Sequence, residues 1–122
     1  MTPCTDFTSV LQRHPALARR TAHAHFDFEV RRAGARFHLR VRPGVVEAPA
    51  AGTGDVDFTI EAGAEAWAEF ARALPRAGYH DVFALVESHH ARIEGRDLLP
   101  FFRHQFLVKA LLAVLFTGEP RP

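Results

Sequence analysis

The sequence predicts an α+β domain in which an antiparallel sheet is covered on one face by helices, the last of them long and apolar. Three observations carry this. Phe26, Phe28 and Val30 alternate with His25, Asp27, Glu29 and Arg31, and Phe37, Leu39 and Val41 alternate with Arg36, His38, Arg40 and Arg42. Period-two alternation marks strands with one wet face. Trp67, Phe70, Ala71 and Leu74 then fall at i, i+3, i+4 and i+7, the spacing of a helix with one buried stripe. Finally, Phe106 to Phe116 reads F-L-V-K-A-L-L-A-V-L-F, with Lys109 its only polar residue.

Residues 1–24 form an N-terminal arm or short helix, with Val10, Leu11, Leu17 and Ala18 as its apolar positions and an interruption at Pro15. The two alternating runs are joined through Arg32-Ala33-Gly34-Ala35, which reads as the turn of an antiparallel hairpin. Its outer-face charges are complementary: Asp27 and Glu29 on one strand meet Arg36, Arg40 and Arg42 on the other. Such cross-strand pairs contribute roughly 0.2–1 kcal/mol each and set register. Pro43-Gly44 breaks the chain, Val45-Val46-Glu47 reads as a brief third strand, and Ala48 to Gly54 is a small-residue loop.

Asp55 to Glu61 repeats the alternation, with Val56, Phe58 and Ile60 inward. A helix over Gly63 to Leu74 is closed by Pro75, and a short helix over Val82 to Val86 is capped by Asp81. His89 to Glu94 places Ala91 and Ile93 on one face and reads as the final strand, ending at Gly95. Asp97 serves as N-cap of the long helix, with Pro100 in its first turn, and Gly118 and Pro120 end it, leaving residues 118–122 as a tail.

That last helix sets the functional question. A helix covering one sheet face needs an apolar stripe of little more than about 100°, so one that is apolar all round needs a second burial partner. Lipid, another helix or a second copy of the chain would serve. A membrane span is a poor answer, because the window Leu98 to Phe116 carries Pro100, Arg103, His104, Gln105 and Lys109. No basic segment followed by an apolar run, as in a signal peptide, opens the chain.

At 122 residues with 48% apolar content, the chain suits one domain with a single core. A net charge of +1 offers little field for a polyanion, which argues against nucleic acid. A single cysteine excludes an internal disulfide and a Cys-rich zinc site, and cytoplasmic residence is the default expectation. Eleven Phe against one Tyr and one Trp give an interior rich in rings without polar handles.

Asp57-Phe58-Thr59-Ile60-Glu61 followed by Ala64-Glu65-Ala66-Trp67 resembles the strand-to-helix passage of sterol carrier protein type-two (SCP-2-like) lipid-transfer domains. Ala91-Arg92-Ile93-Glu94-Gly95-Arg96-Asp97 resembles the family's last strand and the Gly-Asp step into its C-terminal helix, here with Arg96 between the two. The resemblance spans roughly residues 25 to 115, within an expected domain of residues 25–117. It implies a five-stranded antiparallel sheet, helices on one face, and an apolar tunnel that takes fatty acids, sterols or similar lipids without covalent chemistry. It therefore favours binding over catalysis and implies no cofactor.

Other chemistry-bearing residues compete with that expectation. His23 and His25 share a strand face with His38 nearby, but the spacing supplies no convergent ligand set, so no metal site is expected. Tyr79-His80-Asp81 clusters a phenol, an imidazole and a carboxylate, the groups a ketosteroid-isomerase-like enzyme uses in an apolar pocket. Ala51-Gly52-Thr53-Gly54 lacks the lysine of a phosphate-binding loop. The candidate ligand lining is Trp67, Phe70, Phe83, Phe102, Phe106, Leu107, Ala110, Leu111 and Val114, with Arg103, His104 or Lys109 at the mouth for a head group. Three readings follow: a carrier for an apolar ligand, a homodimerising module of the same fold without ligand, and a small enzyme using His80 or Asp81.

Overall fold

The computed structural model describes residues 3–52 and 54–121. Met1, Thr2, Thr53 and Pro122, from the expected N-terminal arm, small-residue loop and tail, lie outside the described residues. Eleven elements follow in chain order: α1 (Phe7–Arg13), α2 (Pro15–Arg20), β1 (Phe26–Arg32), β2 (Ala35–Arg42), β3 (Val45–Glu47), β4 (Phe58–Ala62), α3 (Ala64–Phe70), α4 (Val82–Glu87), β5 (Ala91–Glu94), α5 (Leu99–Arg103) and α6 (Gln105–Thr117).

The five strands form one sheet in the order β3-β2-β1-β4-β5. The hairpin has the expected alternation, with Phe28 opposite Leu39 and Val30 opposite Phe37. Its turn places Ala33 at φ 52°, a left-handed conformation that is uncommon outside glycine. The sheet is mixed, where a purely antiparallel one was expected. β4 lies parallel to β1, with Phe28 beside Phe58 and Val30 beside Ile60, while the other three pairings are antiparallel. The link from β3 carries the chain past β2 and β1, so β4 joins the far side of β1. Two backbone-centred bonds start this pairing: Asp57 N–H donates to Asp27 O at 2.8 Å, and Asp27 N–H donates to Asp57 Oδ2 at 3.1 Å.

Alternation then sorts the two faces. Phe26, Phe28, Val30, Leu39, Val41, Phe58 and Ile60 are buried on the helix side. Their rings form a ladder, with Phe28 and Phe58 centroids 5.1 Å apart and Phe101 set edge-on to Phe58 at 5.6 Å. Offset and edge-on pairs of this kind add about 0.5–1.5 kcal/mol beyond burial. On the opposite face, Asp27 and Glu29 are buried beneath cations. Asp27 meets His38 at 2.5 Å, Arg42 at 2.9 Å and Arg40 at 3.2 Å, and Glu29 meets Arg31 at 2.5 Å and Arg36 at 3.1 Å.

The helices follow the sequence with shifts that side chains explain. α3 ends at Phe70 rather than running to Leu74, because Glu69 gathers the next turn through Arg72, Arg76 and the Arg76 amide. Its Trp67 is fully buried, donates to Arg31 O at 2.9 Å and stacks on Phe116 with centroids 4.5 Å apart. The expected single C-terminal helix is two, broken at His104 (φ −114°, ψ 34°), whose ring turns in to stack on Phe26 at 5.3 Å. Leu98, not Asp97, is the N-cap residue of α5, although Asp97 Oδ1 accepts from Leu99 N–H at 3.0 Å. Gly118, at φ 87°, ends α6 by donating to Val114 O at 2.8 Å.

From Leu107 to Phe116 every residue of α6 is buried except Lys109, which is partly exposed. The second burial partner is the chain's own N-terminal segment. Cys4 N–H donates to Leu115 O at 2.8 Å, Arg13 and His14 clasp Glu119 at 2.8 and 2.7 Å, and Phe7, Val10, Leu11 and Leu17 join the core. The apolar surplus that called for lipid or a second copy around this helix is thus largely consumed within the chain. No helix among the described residues is long and apolar enough to cross a membrane.

These contacts can be tested one at a time. A Cβ on Gly95 would lie 2.5 Å from Phe58 Cα and closer still to Asp57 O, where backbone atoms cannot yield. Gly95→Ala is expected to cost about 1–3 kcal/mol in urea unfolding, as overpacking does. The buried acids respond to pH. Burial alone would raise the pKa of both carboxyls, but hydrogen bonds from His38, Arg42 and Arg40 to Asp27, and from Arg31 and Arg36 to Glu29, hold both below their ordinary values. Stability from a depressed carboxyl pKa is complete above the unfolded value, about 4, and is lost as pH falls from there through the folded value. Asp27→Asn is expected to lower stability by about 1–3 kcal/mol at neutral pH. It should also flatten the acid limb in urea titrations, and an unchanged limb would contradict the assignment.

Candidate functional site

α2, the end of α3, the start of α4 and α6 enclose a cleft of about 740 Å³, lined among others by Leu17, Arg20, Phe70, Phe106, Lys109 and Ala110. Small-molecule sites fall at about 300–1,000 Å³ with mostly apolar linings and a few placed polar groups. Each wall has a local cause. α2 begins at Pro15, whose missing N–H falls where no helical partner exists, and Leu17 points its side chain into the core. Thr21 fixes the end of α2, donating to Ala18 O at 2.6 Å and accepting from Gly44 N–H at 2.7 Å. Phe70 closes α3, and Arg121 covers that end by donating to the carbonyls of Phe70 and Arg72 while its guanidinium stacks 4.6 Å from the Phe70 ring.

The rim is cationic and partly balanced. Arg20 and Lys109 approach the Phe106 ring from 5.8 and 5.6 Å. Lys109 Nζ also lies 3.3 Å from Asp81 Oδ2. Asp81 does double duty, accepting from Ala84 N–H at 2.9 Å as the N-cap of α4. Burial would raise the Asp81 pKa, but the Ala84 amide, Lys109 and His80 outweigh it and hold the carboxyl below its ordinary value. The pKa of His104, beneath the α5–α6 break, is pushed down by burial and by the charges of Arg103 and His23, and its ring lies against Phe26.

The predicted site residues separate into three groups. Phe70, Phe106 and Ala110 line the cleft. Trp67, Leu107, Leu111 and Val114 are core residues, at most 2% exposed, and do not line it. Phe83 packs half-buried against Phe101, and Phe102 is 59% exposed on the outer surface of α5. Of the expected head-group residues only Lys109 reaches the cleft. His14, Ala16, Leu17, Arg20, Pro120 and Arg121 also line it. Nothing local in the sequence marks them, since they come from the weakly patterned N-terminus and the last residues, segments brought together only by folding.

Of the cluster Tyr79-His80-Asp81, Tyr79 turns away and stacks on His90 with centroids 4.3 Å apart, whereas His80 and Asp81 both line the cleft, His80 Nε2 lying 3.8 Å from Asp81 Oδ2. Asp81 is committed to Lys109 and the α4 amide, and His80 is largely exposed. His38, one of the three histidines weighed for metal, is spent on Asp27.

The arrangement of sheet and helices matches solved structures of sterol carrier proteins, which give the class of fold. A sterol carrier protein 2 crystal structure aligns over 88% of each chain with 13% identity and a TM-score of 0.63. A conserved hypothetical protein from Thermus thermophilus, described as possibly a sterol carrier protein, aligns over 96% of each chain with 12% identity and a TM-score of 0.58. A UbiJ-SCP2 ubiquinone synthesis protein aligns over 88% of each chain with 23% identity and a TM-score of 0.58. No family model and no curated protein matches the sequence. The chain therefore has the sterol carrier protein 2 fold, as its two motifs predicted.

Asp81 offers a direct check on how the cleft wall is held. Asp81→Ala removes both the α4 cap and the Lys109 partner, and should cost about 1–2 kcal/mol in thermal or urea unfolding.

Proposed function

We propose that the protein binds a lipid-class amphiphile non-covalently in this cleft. The chain of the ligand lies against Leu17, Phe70, Phe106 and Ala110, and its anionic head group meets Arg20 and Lys109. The carrying observation is an apolar floor under a cationic rim in a space of about 740 Å³. The shared fold supports the reading, since its solved neighbours are titled as a sterol carrier protein and a ubiquinone synthesis protein. Affinity comes mainly from burying hydrocarbon, at roughly 25 cal/mol per Å² of apolar surface removed from water. The binding unit includes the helices before residue 25, because α2 supplies one wall. Binding rather than catalysis fits the turning away of Tyr79 and the commitment of Asp81, which lines the cleft with His80, to Lys109 and the α4 amide.

Displacement of a fluorescent fatty acid tests this. Ala16, exposed at the mouth, tolerates enlargement, so Ala16→Trp is expected to abolish uptake while the unfolding midpoint stays unchanged. Arg20→Ala with Lys109→Ala should weaken a fatty acid about tenfold and the matching fatty alcohol little, because the lost contacts are charge-assisted. Absence of uptake by the wild-type protein, with no amphiphile retained in native mass spectrometry, would overturn the proposal.

A further inference from the structure

Three large side chains of α5 and α6 stand mostly in water: Leu99, Phe102 and Phe106, at 56%, 59% and 61% exposure. Leu99 and Phe102 stand at i and i+3 on one face of α5, and Phe106 stands at the start of α6, just past the break at His104. Large exposed apolar side chains gathered on two adjoining helical segments mark an interaction surface.

The charges around that surface say what it meets. A net charge of +1 conceals an uneven distribution. On the sheet's polar face, Arg31, Arg36, Arg40, Arg42 and Arg92 are each paired with a carboxylate. Among the described residues, Arg20 and Arg103 have no carboxylate within ion-pair distance. Arg20 lies 5.8 Å from the Phe106 ring, and Arg103 follows Phe102 directly and is exposed. Lys109 adds a third cation 5.6 Å from the same ring, and Asp81 offsets it in part. Asp97 is the acid near the start of this surface, engaged with the Leu99 amide.

Apolar side chains that project into the acyl boundary, ringed by cations that meet phosphates, are the two ingredients of interfacial membrane binding. We propose that Leu99, Phe102 and Phe106, with Arg20, Arg103 and Lys109, form a docking surface for an anionic lipid bilayer. The surface abuts the cleft at Phe106, so a docked molecule presents the cleft mouth to the membrane. The inference does not rest on the ligand reading, because exposure and unpaired charge define the surface whether or not the cleft is filled.

Co-sedimentation with vesicles tests it. Wild-type protein is expected to pellet with phosphatidylcholine vesicles containing phosphatidylglycerol, to remain in solution with phosphatidylcholine alone, and to be released by salt. Arg103→Glu and Phe102→Ser should each lower the bound partition about tenfold. Both side chains are exposed, so melting by circular dichroism should be unchanged. Phe102→Trp should shift its emission to the blue on binding, a readout from an otherwise intact surface. Leu99→Ser should weaken vesicle binding yet leave fatty-acid uptake from solution unchanged, which separates this inference from the ligand reading. Equal pelleting with both vesicle types, or indifference to Arg103→Glu, overturns the proposal. So does self-association without vesicles that Phe102→Ser abolishes, since the surface would then serve a second copy of the chain.

Discussion

Leu107 to Phe116 form a helical stretch with almost no polar side, so every direction around its axis must meet an apolar neighbour, and the rest of the chain is arranged to provide one. The aromatic inner face of the sheet supplies part, Trp67 stacks on Phe116 from α3, and the N-terminal helices close what remains. Backbone and side-chain contacts hold this enclosure in register at both ends of the chain: Cys4 bonds to Leu115, and Glu119 is clasped by Arg13 and His14. At roughly 1.5–3 kcal/mol for each large buried side chain, an uncovered flank would cost more than a small domain can spare. The cleft exists where this coverage stops short, between Leu17 on one side and Phe106 with Ala110 on the other.

Charge is organised by the same division of labour. The sheet's polar face neutralises itself: Asp27 and Glu29 are nearly removed from water and each is served by several cations. Partners of this number can offset the desolvation that one pair would not, because the carboxylate oxygens find several donors. Arg20 and Arg103 stand outside that lattice of paired charges, near Phe106 and Phe102, and the chain's slight net charge hides them. Apolar floor, cationic edge and exposed rings thus lie together on the helical layer, away from the charge lattice of the sheet.

Much of the fold was legible because the two periods are local. Phe26 to Arg42 carries the hairpin in its alternation, Trp67 to Phe70 carries a helix, and Asp81 announces the cap of α4. The parallel β1–β4 pairing was not legible, since alternation fixes which face a residue takes but not which strand lies beside it. Nor was the break at His104, where the stacking of an imidazole on Phe26, distant in sequence, competes with helix continuity. The candidate site was read in part. Phe70, Phe106, Ala110 and Lys109 lie on the cleft, whereas Trp67, Leu107, Leu111 and Val114 are core, because hydrophobicity by itself does not distinguish a lining from a filling.

By itself the sequence determined the α+β class, the faces of its strands, the ends of several helices and the surplus of apolar surface near the C-terminus, all consequences of spacing along a short stretch of chain. Only the tertiary structure decided what covers that surplus and where a cavity stays open. Those outcomes depend on volumes contributed by residues as far apart as Leu17, Phe70 and Ala110, and shape complementarity across such separations leaves no local trace in the order of the amino acids.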